Sequence, residues 1–176
     1  MTNTKTLEYV QIALFAVLIT VCSWISIPFV IPFTLQTFAV FAAMLVLGGK
    51  RGTVAVLLYM LLGAVGLPVF AGFKSGMGIL AGPTGGYVIG FVLIGLCYMA
   101  AEKLFSENYF ALLASLVIGL FLCYAAGTIW FINVYSGANA VSVQYVLSIC
   151  VYPYIVPDLC KLALAAYIAK RVKKYI

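Results

Sequence analysis

Histidine is absent from the 176-residue chain, and only four carboxylates occur: Glu8, Glu102, Glu107 and Asp158. A zinc site needs a cluster of His, Cys, Asp or Glu ligands, and this inventory hardly supplies one, so neither a metal nor a cofactor is expected. The five cysteines (Cys22, Cys97, Cys123, Cys150, Cys160) stand singly within apolar stretches and never at CxxC spacing. They read as small buried hydrophobes rather than disulfides or metal ligands. No GxxxxGK[ST] pattern is present; Gly48-Gly49-Lys50-Arg51-Gly52 lacks both its spacing and its hydroxyl residue, which argues against ATP hydrolysis by a P-loop. Charge as a whole is scarce. Charged residues make up 8% of the chain and apolar ones 66%, and the mean hydropathy is +1.20. A soluble domain carries about 25% charged and about 45–50% apolar residues. The composition therefore excludes a cytosolic enzyme, a disordered tail and a soluble nucleic-acid binder, despite a net charge of +6.

What the chain does hold is long apolar runs. The spans read as Val10–Ile27, Phe33–Leu47, Thr53–Val65, Gly85–Ala101, Tyr109–Tyr135 and Pro157–Ala169. The first follows a short polar start, has no small-residue cleavage site after it and is followed by further spans, so it reads as retained rather than as a signal peptide. The second and third are shorter than the roughly 20 residues a perpendicular helix needs, so tilt, irregularity or burial by neighbours must help them. The last apolar stretch, Val141–Ala169, is interrupted by Pro153 and Pro157. It reads as a short outer helix, a break, and a sixth span with Pro157 in its first turn, where a missing N–H costs little. Six spans use about 120 residues and leave only short loops. The expected fold is a single all-α membrane domain over residues 1–176, a six-transmembrane-helix bundle.

Cations orient it. Lys5, Lys50, Arg51, Lys103, Lys170, Arg171, Lys173 and Lys174 all fall at the termini or in the second and fourth connections; Lys74 falls opposite and Lys161 lies inside a span. By the positive-inside rule both termini are cytoplasmic, in the cell (plasma) membrane. The basic tail is a topology signal first, with weak attraction to anionic lipid second. The six prolines fall in pairs, Pro28 and Pro32, Pro68 and Pro83, Pro153 and Pro157, in the first, third and fifth connections on the outer side. Seven of the sixteen glycines (Gly72, Gly76, Gly78, Gly82, Gly85, Gly86, Gly90) crowd one outer connection and the helix after it. Irregular backbone at membrane depth survives only when buried in protein or lining a cavity. Three broken outer connections, against tight inner turns such as Gly48–Gly52, point to an outward-facing pocket. Packing is marked by small residues four apart: Ala111, Ser115, Gly119, Cys123 and Gly127 in span five, Gly82, Gly86 and Gly90 in span four, and Ala16 with Thr20 in span one. The first two stripes serve internal packing. The third faces another helix of the chain or a separate membrane subunit.

Asp158 and Lys161 are the oppositely charged pair within a span. At i and i+3 they share a helix face, and intramembrane ionisable groups mark functional sites unless they form a purely internal pair. A pocket there offers an acceptor-only carboxylate and a donor-only ammonium. Around it the outer connections place Thr34, Gln36, Thr84, Tyr87, Tyr124 and Trp130, each of which also has a structural reading as an interfacial aromatic or an interhelical bond. Lys74, in the glycine-rich Gly72–Gly78 segment, either meets an anion or is a solvated loop lysine.

Pro32-Phe33-Thr34-Leu35-Gln36-Thr37-Phe38, Gly49-Lys50-Arg51-Gly52, Gly66-Leu67-Pro68-Val69-Phe70-Ala71-Gly72, Gly82-Pro83-Thr84-Gly85-Gly86-Tyr87 and Pro157-Asp158-Leu159-Cys160-Lys161 occur in this order. In these motifs, over about residues 10–170, the chain resembles the BioY family, the biotin-specific substrate-capture (S) components of energy-coupling factor (ECF) vitamin transporters. The resemblance implies a six-helix bundle that captures biotin from outside. It also implies an energy-coupling transmembrane subunit and two cytoplasmic ATPase subunits as partners, with Ala16 and Thr20 at the transmembrane partner's interface, where Thr replaces a second Ala. It implies further that Asp158 accepts from a ureido N–H of biotin, while Lys161 donates to the ureido oxygen or to Asp158. Tyr87 and Trp130 then wall the thioether ring, and the glycine-rich segment with Lys74 lies over the ligand near its carboxylate. Competing readings are a capture component for thiamin or riboflavin, a small intramembrane enzyme using Asp158, and a channel. The enzyme lacks a second positioned group beyond Lys161, and the channel lacks a polar face along the full span.

Overall fold

The structure, a computed structural model, describes residues 4–29, 31–105, 108–135 and 142–174; Glu107 and Val141, singled out above, lie outside them. Eight α-helices follow in chain order among the described residues: α1 (Thr4–Trp24), α2 (Gln36–Leu47), α3 (Gly49–Ala64), α4 (Met77–Ala81), α5 (Gly85–Leu104), α6 (Tyr109–Tyr135), α7 (Val143–Cys150) and α8 (Tyr152–Val172). Between α1 and α2 lies a hairpin whose two-residue strands, β1 (Ser26–Ile27) and β2 (Phe33–Thr34), pair antiparallel. Four segments among the described residues are long and apolar enough to cross a membrane: Thr4–Trp24, Gly85–Leu104, Tyr109–Tyr135, and Val143–Val172, which joins α7 to α8. The chain is a multi-pass membrane protein.

α2 is the hub. It packs against α1, α3, α5 and α8, and nearly every residue along it is buried. A helix apolar all round is one surrounded by protein, and enclosure by its neighbours is what accommodates its 12 residues inside the bundle. The turn to α3 is tighter than the Gly48–Gly52 connection read from the sequence. Gly48 alone makes it, at φ 83°, and Gly49 already opens α3. Gly49 N–H donates to Glu102 Oε2 at 2.7 Å, and Arg51 lies 3.8 Å from Glu8. These contacts gather the amino ends of α1 and α3 and the carboxyl end of α5 at one basic end of the bundle.

Several boundaries differ from expectation, Ile27 and Phe33 lying in the hairpin, α3 opening at Gly49 and α5 running on to Leu104, and three further departures have a physical reason. α1 begins at Thr4, because a helix continues beyond its apolar run into the polar segment that carries Glu8. α8 begins at Tyr152, with Pro153 in its first turn and Pro157 inside it. Pro153 occupies the position foreseen for Pro157, since the first helical N–H groups have no intrahelical acceptor. The break falls at Val151, so this proline pair sits within a helix and not in a connection. Gly82 ends α4 and stands outside α5, so it does not belong to the small-residue face of that helix.

α5 and α6 approach most closely where glycines replace side chains. A Cβ on Gly90 would stand 2.7 Å from Cys123 Sγ, one on Gly127 2.3 Å from the Tyr87 ring, and one on Gly119 2.7 Å from the Ile94 Cα. The Gly119 contact is with backbone, which cannot rotate aside. Gly119→Ala is therefore expected to destabilise the protein by about 1–3 kcal/mol, read as a lower thermal midpoint in detergent. Gly78→Ala, where an added Cβ meets nothing within 4 Å, is expected to leave the midpoint unchanged or slightly raised.

Candidate functional site

At the end of the bundle opposite the basic one, the hairpin, the 70–84 segment and the facing ends of α2, α5, α6 and α8 enclose a cavity of about 190 Å³. Asp158 and Lys161 line it and are 3% and 7% exposed. Their direction follows from the helix period: Tyr154, Asp158, Lys161, Leu162, Ala165 and Ala169 form the buried face of α8. Lys161 Nζ donates to Asp158 Oδ1 at 2.7 Å. Two further donors reach the same carboxylate, Thr37 Oγ1 to Oδ1 at 2.8 Å and the Tyr124 hydroxyl to Oδ2 at 2.6 Å. The Lys161 ammonium also lies 4.4 Å from the centre of the Phe33 ring, a cation–π contact.

This geometry leaves specific valences open. An ionised carboxylate offers about four acceptor positions and an ammonium three donors. Asp158 accepts three hydrogen bonds from protein groups, Oδ2 being the less occupied oxygen. Lys161 spends one donor on Asp158. Side by side in the cavity, the pair presents one acceptor position and further donors. That pattern suits a small neutral group carrying an N–H next to a C=O.

Of the residues picked from the sequence, Thr34, Gln36, Lys74, Thr84, Tyr87 and Tyr124 line the cavity with the pair. Gln36 Nε2 donates to the Tyr59 hydroxyl at 2.7 Å, and Tyr87 and Thr128 share a hydroxyl contact of 3.2 Å. Trp130 is placed elsewhere. A Cβ on Gly86 would fall 2.3 Å from the Trp130 Cβ, and the indole Nε1–H donates to the Gly82 carbonyl at 3.0 Å, so Trp130 packs α6 onto the start of α5. Ala16 and Thr20 also depart from expectation. Both are buried, with Thr20 Oγ1 donating to the Ala16 carbonyl at 2.9 Å, and they face the bundle rather than a partner. The exposed residues of α1 include Val10, Leu14, Val17 and Val21.

Sequence reasoning missed Thr37, Tyr59, Phe33 and Tyr154. Thr37 stands 121 residues from the carboxylate it serves, and its signals are a hydroxyl in a helix apolar beyond it and its place in the Pro32–Phe38 motif. Tyr154 donates to the Ile31 carbonyl and so ties α8 to the hairpin.

Fold and cavity together define a multi-pass membrane protein with a chamber for a small molecule at one end. More particularly, the chain belongs to the BioY family, whose model matches residues 1–176. It is 48% identical over 174 residues to the biotin transporter BioY of Thermotoga maritima, covering 95% of this chain and 96% of that one. It is 40% identical to the probable biotin transporter BioY of Pyrococcus horikoshii, covering 96% and 98%. Its fold matches, with a TM-score of 0.85 and 26% identity, a crystal structure of the S-component for biotin from an ECF-type ABC transporter, covering 99% of this chain and 94% of that one.

The coupled charges generate a prediction. Lys161→Met strands a buried carboxylate and is expected to cost roughly 3–5 kcal/mol of stability. The double change Asp158→Asn with Lys161→Met is expected to recover most of that loss. Unfolding of the single and double variants in detergent, analysed as a double-mutant cycle, measures the coupling.

Proposed function

We propose that this chain is the substrate-binding membrane subunit that captures biotin from outside the cell for an ATP-driven ECF transporter. The single observation that carries the reading is the shielded Asp158–Lys161 pair with open valences facing the cavity. Biotin's ureido group is neutral and sets N–H donors beside a C=O acceptor. One ureido N–H donates to Asp158 Oδ2, and the ureido oxygen accepts from Lys161. Gln36, Thr34 and Thr84 border the head group, while Tyr87 and Tyr124 cover the apolar thioether ring. A ligand without the ureido edge leaves buried charges underused, which is how a polar site rejects analogues.

The wider assembly follows the same reading. α1, α2, α3, α5, α6 and α8 act as six spans, the shorter ones enclosed by the others. The basic end faces the cytoplasm in keeping with the positive-inside rule, which puts both termini there and the cavity on the outer side of the plasma membrane. Energy comes from a transmembrane coupling subunit and two cytoplasmic ATPases.

Titration of the purified chain with biotin, by calorimetry or through Trp24 and Trp130 fluorescence, tests the reading. Saturable one-to-one binding is expected, with affinity falling at least about tenfold, or about 1.4 kcal/mol, in Asp158→Asn. Tight binding of thiamin or riboflavin in place of biotin would overturn it.

A further inference from the structure

Tyr87 and Phe70 line the cavity, whereas the glycines their rings rest on, Gly127 of α6 and Gly63 of α3, do not. Both glycines therefore stand behind the wall. A Cβ on Gly127 would lie 2.3 Å from the nearest atom of the Tyr87 ring, and one on Gly63 2.1 Å from the tip of the Phe70 ring. Carbon atoms in contact sit about 3.5–4.0 Å apart. An alanine at either position thus requires its ring to shift by about 1 Å or more.

Neither ring can retreat with its own backbone. α5, which carries Tyr87, is held against α6 at Gly90 and Gly119, and the Tyr87 carbonyl accepts from Cys123 Sγ at 3.4 Å. Phe70 N–H donates to the Lys74 carbonyl at 3.0 Å, and the preceding carbonyl, of Val69, accepts from Ser23 Oγ. The protein side offers no slack either. Phe70 meets the Tyr59 ring edge-on, with centroids 5.6 Å apart, and Tyr59 is fully buried. The Tyr87 hydroxyl contacts Thr128, the residue after its glycine, at 3.2 Å. Protein interiors are close-packed, so a displaced ring moves into the open volume it already faces, the cavity of about 190 Å³.

We infer, resting on the biotin reading above, that Gly127 and Gly63 are positioning residues that set the width of the chamber. By receiving the Tyr87 and Phe70 rings they leave room for a rigid second ring fused to the ligand's head group. The charged pair reads the polar edge of the ligand, and the two glycines govern its thickness without touching it.

The test measures dissociation constants of biotin and of desthiobiotin, which keeps the ureido ring and the carboxylate but has flexible arms where biotin has its thioether ring. Gly127→Ala and Gly63→Ala are each expected to weaken biotin at least about tenfold, the scale on which an apolar pocket registers one methylene, and to leave desthiobiotin within about threefold. In the ring-trimmed backgrounds Tyr87→Leu and Phe70→Leu, adding the matching alanine is expected to cost biotin no more than about twofold, the coupling that a double-mutant cycle isolates. Gly119→Ala, which meets the Ile94 backbone away from the cavity, is expected to lower the thermal midpoint with the ratio of the two affinities unchanged, separating lost stability from lost width. An unchanged ratio in Gly127→Ala and Gly63→Ala, or an equally large loss of biotin in the trimmed backgrounds, overturns the assignment and leaves the biotin reading standing. Where an alanine variant alone does not fold, folding of its ring-trimmed double supports displacement of the ring, and failure of the double overturns it. Failure of both compounds to bind the unaltered chain overturns the two readings together.

Discussion

The structure turns on a buried carboxylate that cannot stand alone. Removing a carboxylate from water costs several kcal/mol, and a nearby ammonium offsets this only if the remaining lone pairs also find donors. Asp158 meets both demands by drawing on three helices: Lys161 from its own, Thr37 from α2 and Tyr124 from α6. Among the described residues no buried side-chain nitrogen or oxygen lacks a partner. The electrostatic requirement thus becomes a geometric one, because α2, α6 and α8 must meet at a fixed depth for the charge to be tolerated. Such a pair contributes little net stability, but its position is strongly specified, and that is the property a recognition site needs.

Around this point the bundle divides into parts held by different forces. α5 and α6 are joined by close backbone approach at Gly90 and Gly119 and by the Tyr87 ring seated against Gly127, the substitute for hydrophobic drive where lipid is as apolar as the core. The mouth is joined by aromatic and hydrogen-bonded contacts: Trp24 on Phe73, Trp24 on Pro68, and Tyr154 on Ile31. Close-packed backbone shifts only as a unit, whereas individual aromatic and hydrogen-bonded contacts can open locally.

Much of this was legible beforehand, and the failures have physical causes. Asp158 and Lys161 were readable as a pair because i and i+3 spacing on a helix is local. The start of α6 at Tyr109 was readable because a long apolar run begins there. The prolines of α8 misled because a proline in an apolar run marks either a helix start or an interior site, and only tertiary packing chooses between them. Ala16 and Thr20 misled because α1 is apolar on both faces, so small residues could not show which side met protein. Trp130 was misplaced because the space it fills is created by Gly86, an absence that no residue-by-residue reading assigns to a distant indole. Thr37 went unassigned for the same reason of distance.

The shortness of α2 has one more consequence. Its 12 residues rise about 18 Å, against a hydrocarbon layer of about 30 Å. Because Gly48 sits at the basic end, a helix longer by roughly 12 Å would extend beyond Gln36 and Thr37 into the space beneath the hairpin. The chamber is in effect the room left by two missing helical turns, roofed over by the chain that replaced them. The room was made by shortening one rod, with no need to splay its neighbours apart.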